Sequence, residues 1–276
     1  MQPIAIHADR VLTPFEDFSD AVVVIQGDKI SAVGPRGKTV LPRNVREIAM
    51  PGKTIVPGFV DVHIHGAGGR DVMEGNAESL EIIAETVARH GTTSFVATTV
   101  TASQMETCES VRGIAKFILN SGQFAARELS AEILGIHFEG PFISKTRRGV
   151  HPQEWILPPS TEVLAQLLKE ARGTAQILTM APELLGALDL IDVARQAGLV
   201  VSLGHTDANY EQALAAIHAG ATHAAHVFNA MRPFSHRGTG VIGAVLTSPK
   251  VSTELIADKI HVDEPAMRML IDVKTP

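Results

Sequence analysis

Cysteine is almost absent from this chain: Cys108 is the only one among 276 residues. No intrachain disulfide can form, and a zinc cage built from thiolates is excluded. Aromatic side chains are also scarce, 4% of the total, with one tryptophan, Trp155, and one tyrosine, Tyr210. Either could face a sugar, but packing is the default expectation for both. Lysine and arginine form no cluster able to track phosphates along a strand, and a formal net charge of −6 gives no general attraction to a polyanion. Nucleic acid is therefore not expected as a partner. No apolar run reaches the roughly 18 residues needed to cross a bilayer. The start, "MQPIAIHADRVLTPF", lacks a basic segment followed by a long apolar core. A membrane is not expected as a partner, and the cytoplasm is the default location.

Apolar residues, by contrast, make up 45% of the chain, ample for a large buried core. Residues 1–54 read as short β segments, including "SDAVVVIQGDKISAVGP" with a Gly-Asp turn between two runs. From Ile55 onward, apolar strands alternate with amphipathic segments of helix length, such as 77–91, 103–122, 160–173 and 184–198. The strands are "TIVPGFVDVHIHG", "TTSFVATTV", "EILGIHFEG", "AQILTMAPE", "LVVSLGH", "ATHAAHVFNA" and "STELIADKIHV". The expected class is α/β, a (β/α)8 TIM barrel over 55–276 preceded by a small β-sandwich-like domain over 1–54. Closure of that barrel takes eight strands, and seven are counted. The chain stops at "MLIDVKTP", inside or just after the seventh helix, so the barrel is expected to end before strand 8. An open parallel edge is an aggregation hazard, and weak or no activity is expected of such a chain in isolation.

Twelve histidines are the most informative feature. In "PGFVDVHIHGAGG", His63 and His65 stand two apart on an extended segment and project to one face, where they can share an ion. An isolated His-X-His is more often an ordinary polar strand exit. Glu139 in "HFEGPF", His205 in "GHTDA", His226 in "HVFNAM" and His261 in "ADKIHVD" recur at other strand ends, where barrel enzymes place their chemistry. A metal centre explains the recurrence. Imidazoles plus one carboxylate suit zinc or another divalent transition ion, and five ligands exceed the needs of one tetrahedral ion. Two ions about 3.5–4 Å apart are expected, Glu139 bridging, with His63 and His65 on one and His205 and His226 on the other. Water held there is acidified, so hydrolysis is the expected chemistry. Asp61 shares a strand face with His63 and is read either as a partner of an imidazole or as a structural carboxylate. Asp207 is read as a helix cap, and Cys108 is given no chemistry.

"PGFVDVHIHGAGG", "GIHFEGPFIS", "RRGVHP", "APE", "GHTDA", "HVFNAM" and "IADKIHVD", in this order and spacing, resemble the N-acetylglucosamine-6-phosphate deacetylase family of the amidohydrolase superfamily. The resemblance runs from the N-terminal β unit to the chain end. It implies a metal-dependent hydrolase that removes the acetyl group from N-acetyl-D-glucosamine 6-phosphate. It implies that Glu139, His205 and His226 bind the ion common to all members, and that His63 and His65 belong with those that hold a second. One or two divalent ions follow, with zinc expected and iron, cobalt or manganese open. His151 would polarise the amide carbonyl, Asn229 and Ala230 would contact the sugar phosphate, and His261 would lie by the substrate. Arg237 matches a phosphate-binding arginine supplied across a homodimer interface, although it is followed by Gly-Thr-Gly where the family commonly has Glu-Pro-Gly. The family's general base, an aspartate ending the eighth strand, has no counterpart here, since Asp258, Asp263 and Asp272 belong to the seventh strand and its helix. Two other readings are another amidohydrolase, a cyclic amidase or deaminase, and an inactive metal-binding scaffold. The cyclic amidases usually bridge their ions with a carboxylated lysine, and neither "AQILTMAPE" nor "EILGIHFEG" contains lysine.

Overall fold

The computed structural model describes residues 2–120 and 129–275, and its contacts divide the chain into Met1–Phe59 and Val60–Pro276. In the first unit, β1 (Ile4–Leu12), β2 (Asp17–Gln26), β3 (Lys29–Pro35) and β4 (Arg46–Ile55) form one sheet in the order β3-β2-β1-β4. β1 runs antiparallel to β2 and parallel to β4. The Gly27-Asp28 turn closes β2 on β3, with Gly27 at φ 65° and Gln26 paired to Lys29. Both faces of this sheet carry apolar clusters: Val22 and Val24 with Ala5 on one, Val23 with Ala8, Val11 and Ala21 on the other. That two-sided burial explains why β2 reads as a continuous Val-Val-Val-Ile run and does not alternate.

The second unit is a parallel βα array. Its strands are β5 (Phe59–Ile64), β8 (Thr92–Thr99), β9 (Glu132–Glu139), β10 (Ala175–Met180), β11 (Val200–Leu203), β12 (His223–Ala224) and β13 (Ser252–Thr253), in the spatial order β13-β12-β11-β10-β9-β8-β5. A small ribbon, β6 (Gly66–Ala67) with β7 (Arg70–Asp71), follows β5. Helices α1 (Ala77–Arg89), α2 (Gln104–Leu119), α3 (Thr161–Ala171), α4 (Ala187–Gln196), α5 (Tyr210–Ala219), α6 (Gly240–Thr247) and α7 (Glu264–Lys274) alternate with the strands. Strand order thus follows chain order, the seven-stranded parallel part of a TIM-type barrel. The segment 103–122 forms α2, and its residues 121 and 122 lie outside the described ones. Side-chain caps set the starts: Asn76 accepts from Ser79 N in α1, and Ser103 and Glu106 form a reciprocal capping box in α2. One core cluster, including Phe95, Ile136, Phe138, Leu164 and Leu178, binds helices to sheet. No helix among the described residues is long and apolar enough to cross a membrane.

The sixth and seventh strands are much shorter than the sequence suggests. "ATHAAHVFNA" pairs only at His223 and Ala224, because the chain turns left-handed at His226 (φ 28°) and Phe228 (φ 82°). "STELIADKIHV" pairs only at Ser252 and Thr253; Asp258 Oδ1 then accepts from Ile260 N and His261 N, and Lys259 takes φ 62°, making a tight exposed turn.

Candidate metal centre at the strand ends

β9 ends on Glu139, which is 3% exposed. The chain must turn at once, and Gly140 does so at φ 81° where an added Cβ would stand 2.3 Å from Thr101 Oγ1. His63 is the penultimate residue of β5 and His65 follows the strand. His205 and His226 each fall two residues beyond their strands, at φ 47° and 28°. Left-handed backbone at such residues costs about 1–3 kcal/mol each and persists only where surroundings dictate it. Here Gly204 permits the approach: a Cβ on it would lie 2.7 Å from Thr179 Cγ2 and 2.9 Å from Ala225 Cβ.

Five imidazoles converge on the Glu139 carboxyl group. Oε1 lies 3.1 Å from His63 Nε2, 3.1 Å from His205 Nε2 and 3.0 Å from His226 Nε2. Oε2 lies 3.2 Å from His65 Nε2 and 3.1 Å from His151 Nε2. Burial works against the charge, yet the surrounding imidazoles of His151, His205, His226 and His63 hold this carboxyl well below the usual carboxylate range.

The opposite ring nitrogens decide what each imidazole can offer. His65 Nδ1 lies 3.2 Å from Thr98 O, His205 Nδ1 2.9 Å from Arg147 O, and His226 Nδ1 3.1 Å from Asn229 O. A carbonyl oxygen only accepts, so each Nδ1 carries the proton, and in the neutral ring each Nε2 presents a bare lone pair. His63 Nδ1 likewise donates to Glu254 Oε2 at 2.7 Å. His205 Nε2 and His226 Nε2 are only 3.1 Å apart. Lone pairs and a carboxylate aimed at one another repel unless a cation lies among them. The donor set therefore fits divalent metal, and the geometric groupings His63, His65, Glu139 and Glu139, His151, His205 fall within the same cluster.

His151 differs. Its Nδ1 accepts from Thr101 N at 3.2 Å, so its Nε2 carries the proton and donates to Glu139. It is 1% exposed, far from the solvated loop residue a lone "RRGVHP" histidine would be. An inward N–H donor at a metal centre is suited to a carbonyl oxygen. His137 lies beneath, donating to Val62 O and accepting from Thr179 Oγ1; burial drives its pKa down to about 3, so it is neutral.

Other residues singled out in the sequence have varied surroundings. Asn229 and Ala230 follow His226, where Phe228 and Ala230 are left-handed; Ala230 O accepts from Thr206 N, and Asn229 Nδ2 is buried without a partner among the described residues. Asp61 Oδ1 accepts the backbone N–H of His63 and not its imidazole. Asp207 caps no helix: Asn209 caps α5, while Asp207 binds Arg147 Nε at 2.8 Å and Arg232 at 2.7 Å. Arg237 lies at the exposed tip of the 235–238 turn. His261 is exposed and pairs with Asp258 at 2.6 Å, away from the strand end where the sequence suggests it. Trp155 is exposed on a short helical turn, Tyr210 packs on the core, and Cys108 is buried in α2.

Residues 54–275 match the sequence profile of the amidohydrolase family. The chain belongs to that family. Among its relatives, the N-acetylglucosamine-6-phosphate deacetylase of Bacillus subtilis (strain 168) is 39% identical over 267 residues, covering 94% of this chain and 65% of the relative. The N-acetylgalactosamine-6-phosphate deacetylase of Escherichia coli O157:H7 is 33% identical over 264 residues, covering 96% and 67%. A crystal structure of the Mycobacterium smegmatis N-acetyl-D-glucosamine-6-phosphate deacetylase, a mutant in complex with N-acetyl-D-glucosamine-6-phosphate, superposes with a TM-score of 0.88 at 34% identity, over 99% of this chain and 68% of that one. The chain thus spans about two thirds of the length of these relatives. For an amidohydrolase a divalent metal is implied, and the converging lone pairs around Glu139 are where the present residues fit one.

One participant was missed in the sequence. Glu254, inside "STELIADKIHV", is largely buried just after β13 and accepts from His63, from His223 Nε2 at 2.8 Å and from His226 N at 3.2 Å. Its segment mixes polar and apolar residues, so sequence alone reads this carboxylate as part of an exposed edge.

Proposed function

We propose that this amidohydrolase cleaves the acetamide of N-acetyl-D-glucosamine 6-phosphate, releasing acetate and glucosamine 6-phosphate. Residues 55–276 would be the catalytic barrel and 1–54 the small β domain. His63, His65, Glu139, His205 and His226 would hold divalent metal, two zinc ions in the first instance, with iron, cobalt or manganese as substitutes. The observation that carries this reading is the set of bare Nε2 lone pairs around one carboxylate, with a single N–H donor, His151, beside them. Bound there, the metal supplies Lewis acidity toward the amide carbonyl and a lowered pKa for water.

This chain's own residues supply the rest. His151 Nε2–H turns to the carbonyl oxygen and stays on it as negative charge develops. Asn229, with its unpartnered amide, and the backbone of Ala230 take the sugar phosphate, and His261 completes the substrate side. Arg237 meets the phosphate across a homodimer interface in the cytoplasm; a planar guanidinium suits a phosphate dianion. The general base is not assigned to Asp258 or Asp263, which are engaged by the 258–261 turn and the start of α7, nor to Asp272.

Acetate release from N-acetylglucosamine 6-phosphate, measured beside N-acetylgalactosamine 6-phosphate, dihydroorotate and cytosine on zinc-loaded protein, tests this. The glucosamine compound is expected to be preferred. Turnover of dihydroorotate or cytosine in preference would reject the assignment, and metal uptake with no turnover of any would leave a binding scaffold.

A further inference from the structure

Glu254 is a largely buried charged group that the proposed chemistry leaves without a task. It belongs to the segment after β13, at one end of the sheet, whereas His63 lies on β5 at the other end. The 2.7 Å contact from His63 Nδ1 to Glu254 Oε2 therefore joins the first and last strands. Glu254 is itself fixed: its backbone N donates to Ala224 O, its carbonyl accepts from Val227 N, Oε1 accepts from His223 Nε2, and Oε2 accepts a second hydrogen bond from His226 N. Among the described residues three N–H donors occupy this carboxylate. It lies on the far side of His63 from Glu139.

We propose that Glu254 is the positioning residue for the ion held by His63 and His65: it locks the proton of His63 on Nδ1 and turns Nε2 toward Glu139. The inference rests on the metal assignment above and not on the substrate. His65, His205 and His226 are oriented by backbone carbonyls, which any residue supplies; His63 alone depends on a side chain. A carboxylate behind a ligating imidazole also raises the basicity of that ligand, and loss of such a partner typically lowers metal affinity by about 10–100-fold. One carboxylate, supplied from the opposite end of the sheet, thus separates a two-ion centre from a one-ion centre.

Glu254→Gln is the sharpest probe, because the amide keeps the shape but turns an NH2 toward one of the three donors. Zinc per chain is measured by mass spectrometry after equilibration at a series of buffered free-zinc concentrations, for the parent protein, Glu254→Gln, Glu254→Asp, His63→Ala and the double variant that combines Glu254→Gln with His63→Ala. The expected result is two ions in the parent, about 10–100-fold weaker binding of one ion in Glu254→Gln, the same single loss in His63→Ala, and no further loss in the double variant. Glu254→Asp, which keeps the charge, is expected to recover part of the affinity; it also serves as the probe if Glu254→Gln fails to fold by circular dichroism. Equal weakening of both ions, or unchanged affinity in folded Glu254 variants, would overturn the inference, as would a parent protein that binds one ion only. Metal behaviour as expected, together with preferential turnover of dihydroorotate or cytosine, would overturn the substrate reading and leave this one standing.

Discussion

Glu139 Oε2 accepts from His151 Nε2 at 3.1 Å, while His151 Nδ1 is committed to the Thr101 backbone N–H. His151 therefore touches the same carboxylate as the metal-type histidines but in the opposite protonation sense. Distance alone groups it with them; the hydrogen-bond direction separates it.

From that separation, His151→Gln is expected to leave zinc content unchanged. Its deacetylation rate is expected to fall by about 100–1,000-fold, the usual loss when one donor to a developing oxyanion is removed. Metal analysis and steady-state kinetics on the same preparation check this. Loss of an ion in the variant would mean that His151 is a ligand.

Glu139 stands in the contrary position, as the one group shared by all five imidazoles. Glu139→Gln removes the bridging charge and leaves bare nitrogens facing an amide. Both ions are expected to weaken together, by more than the ~100-fold that loss of an outer partner gives. Loss of one ion alone in the zinc titration would show that the carboxylate does not bridge.

Much of this was legible beforehand. His63, His65, Glu139, His205 and His226 could be found because their elements end where apolar patterning ends, and because a parallel array brings strand ends to one face. The tautomers were not legible, since they depend on carbonyls of Thr98, Arg147 and Asn229 that arrive from other segments. The same holds for Glu254, whose partner is 191 positions away. Strand lengths failed for a local reason: left-handed residues such as Phe228 and Lys259 carry no sequence mark that distinguishes them from strand formers.

Asp207 shows how an outer ion pair can reach the centre. It clamps Arg147, whose carbonyl oxygen accepts the proton of His205 Nδ1. Its partners Arg232 and Arg147 hold its carboxyl below the usual range, although the group is partly exposed. Asp207→Ala is expected to change stability by less than about 1 kcal/mol, as for partly solvated pairs. It is expected to weaken zinc by ~10-fold through a looser His205. Unfolding curves and zinc titration separate the two, and an unaltered affinity would remove the Arg147 link.

His137 gives the chain a dependence on pH that metal does not create. Burial, with the neighbouring charge of His63, lowers its pKa from 6.5 to about 3, and its hydrogen bonds to Val62 O and Thr179 Oγ1 keep it neutral. Above pH 6.5 it is neutral in both states and contributes no slope. Between 6.5 and 3 the unfolded chain takes up a proton that the folded chain refuses, so stability falls as pH falls. The loss is about 2 kcal/mol between pH 7 and pH 5. His63 acts in the opposite sense only in the metal-free chain: burial disfavours its charge, but Glu139 and Glu254 raise its pKa to about 10, so Nε2 there carries a proton that a bound metal would displace. Its stabilisation is complete below 6.5 and is lost as pH rises toward 10. Urea unfolding in chelator at pH 7, 6 and 5, for the parent and His137→Gln, isolates the first effect as a difference of slopes. The variant is expected to be less stable at pH 7 yet flatter toward pH 5; parallel curves would show that His137 titrates in the folded chain as it does in the unfolded one.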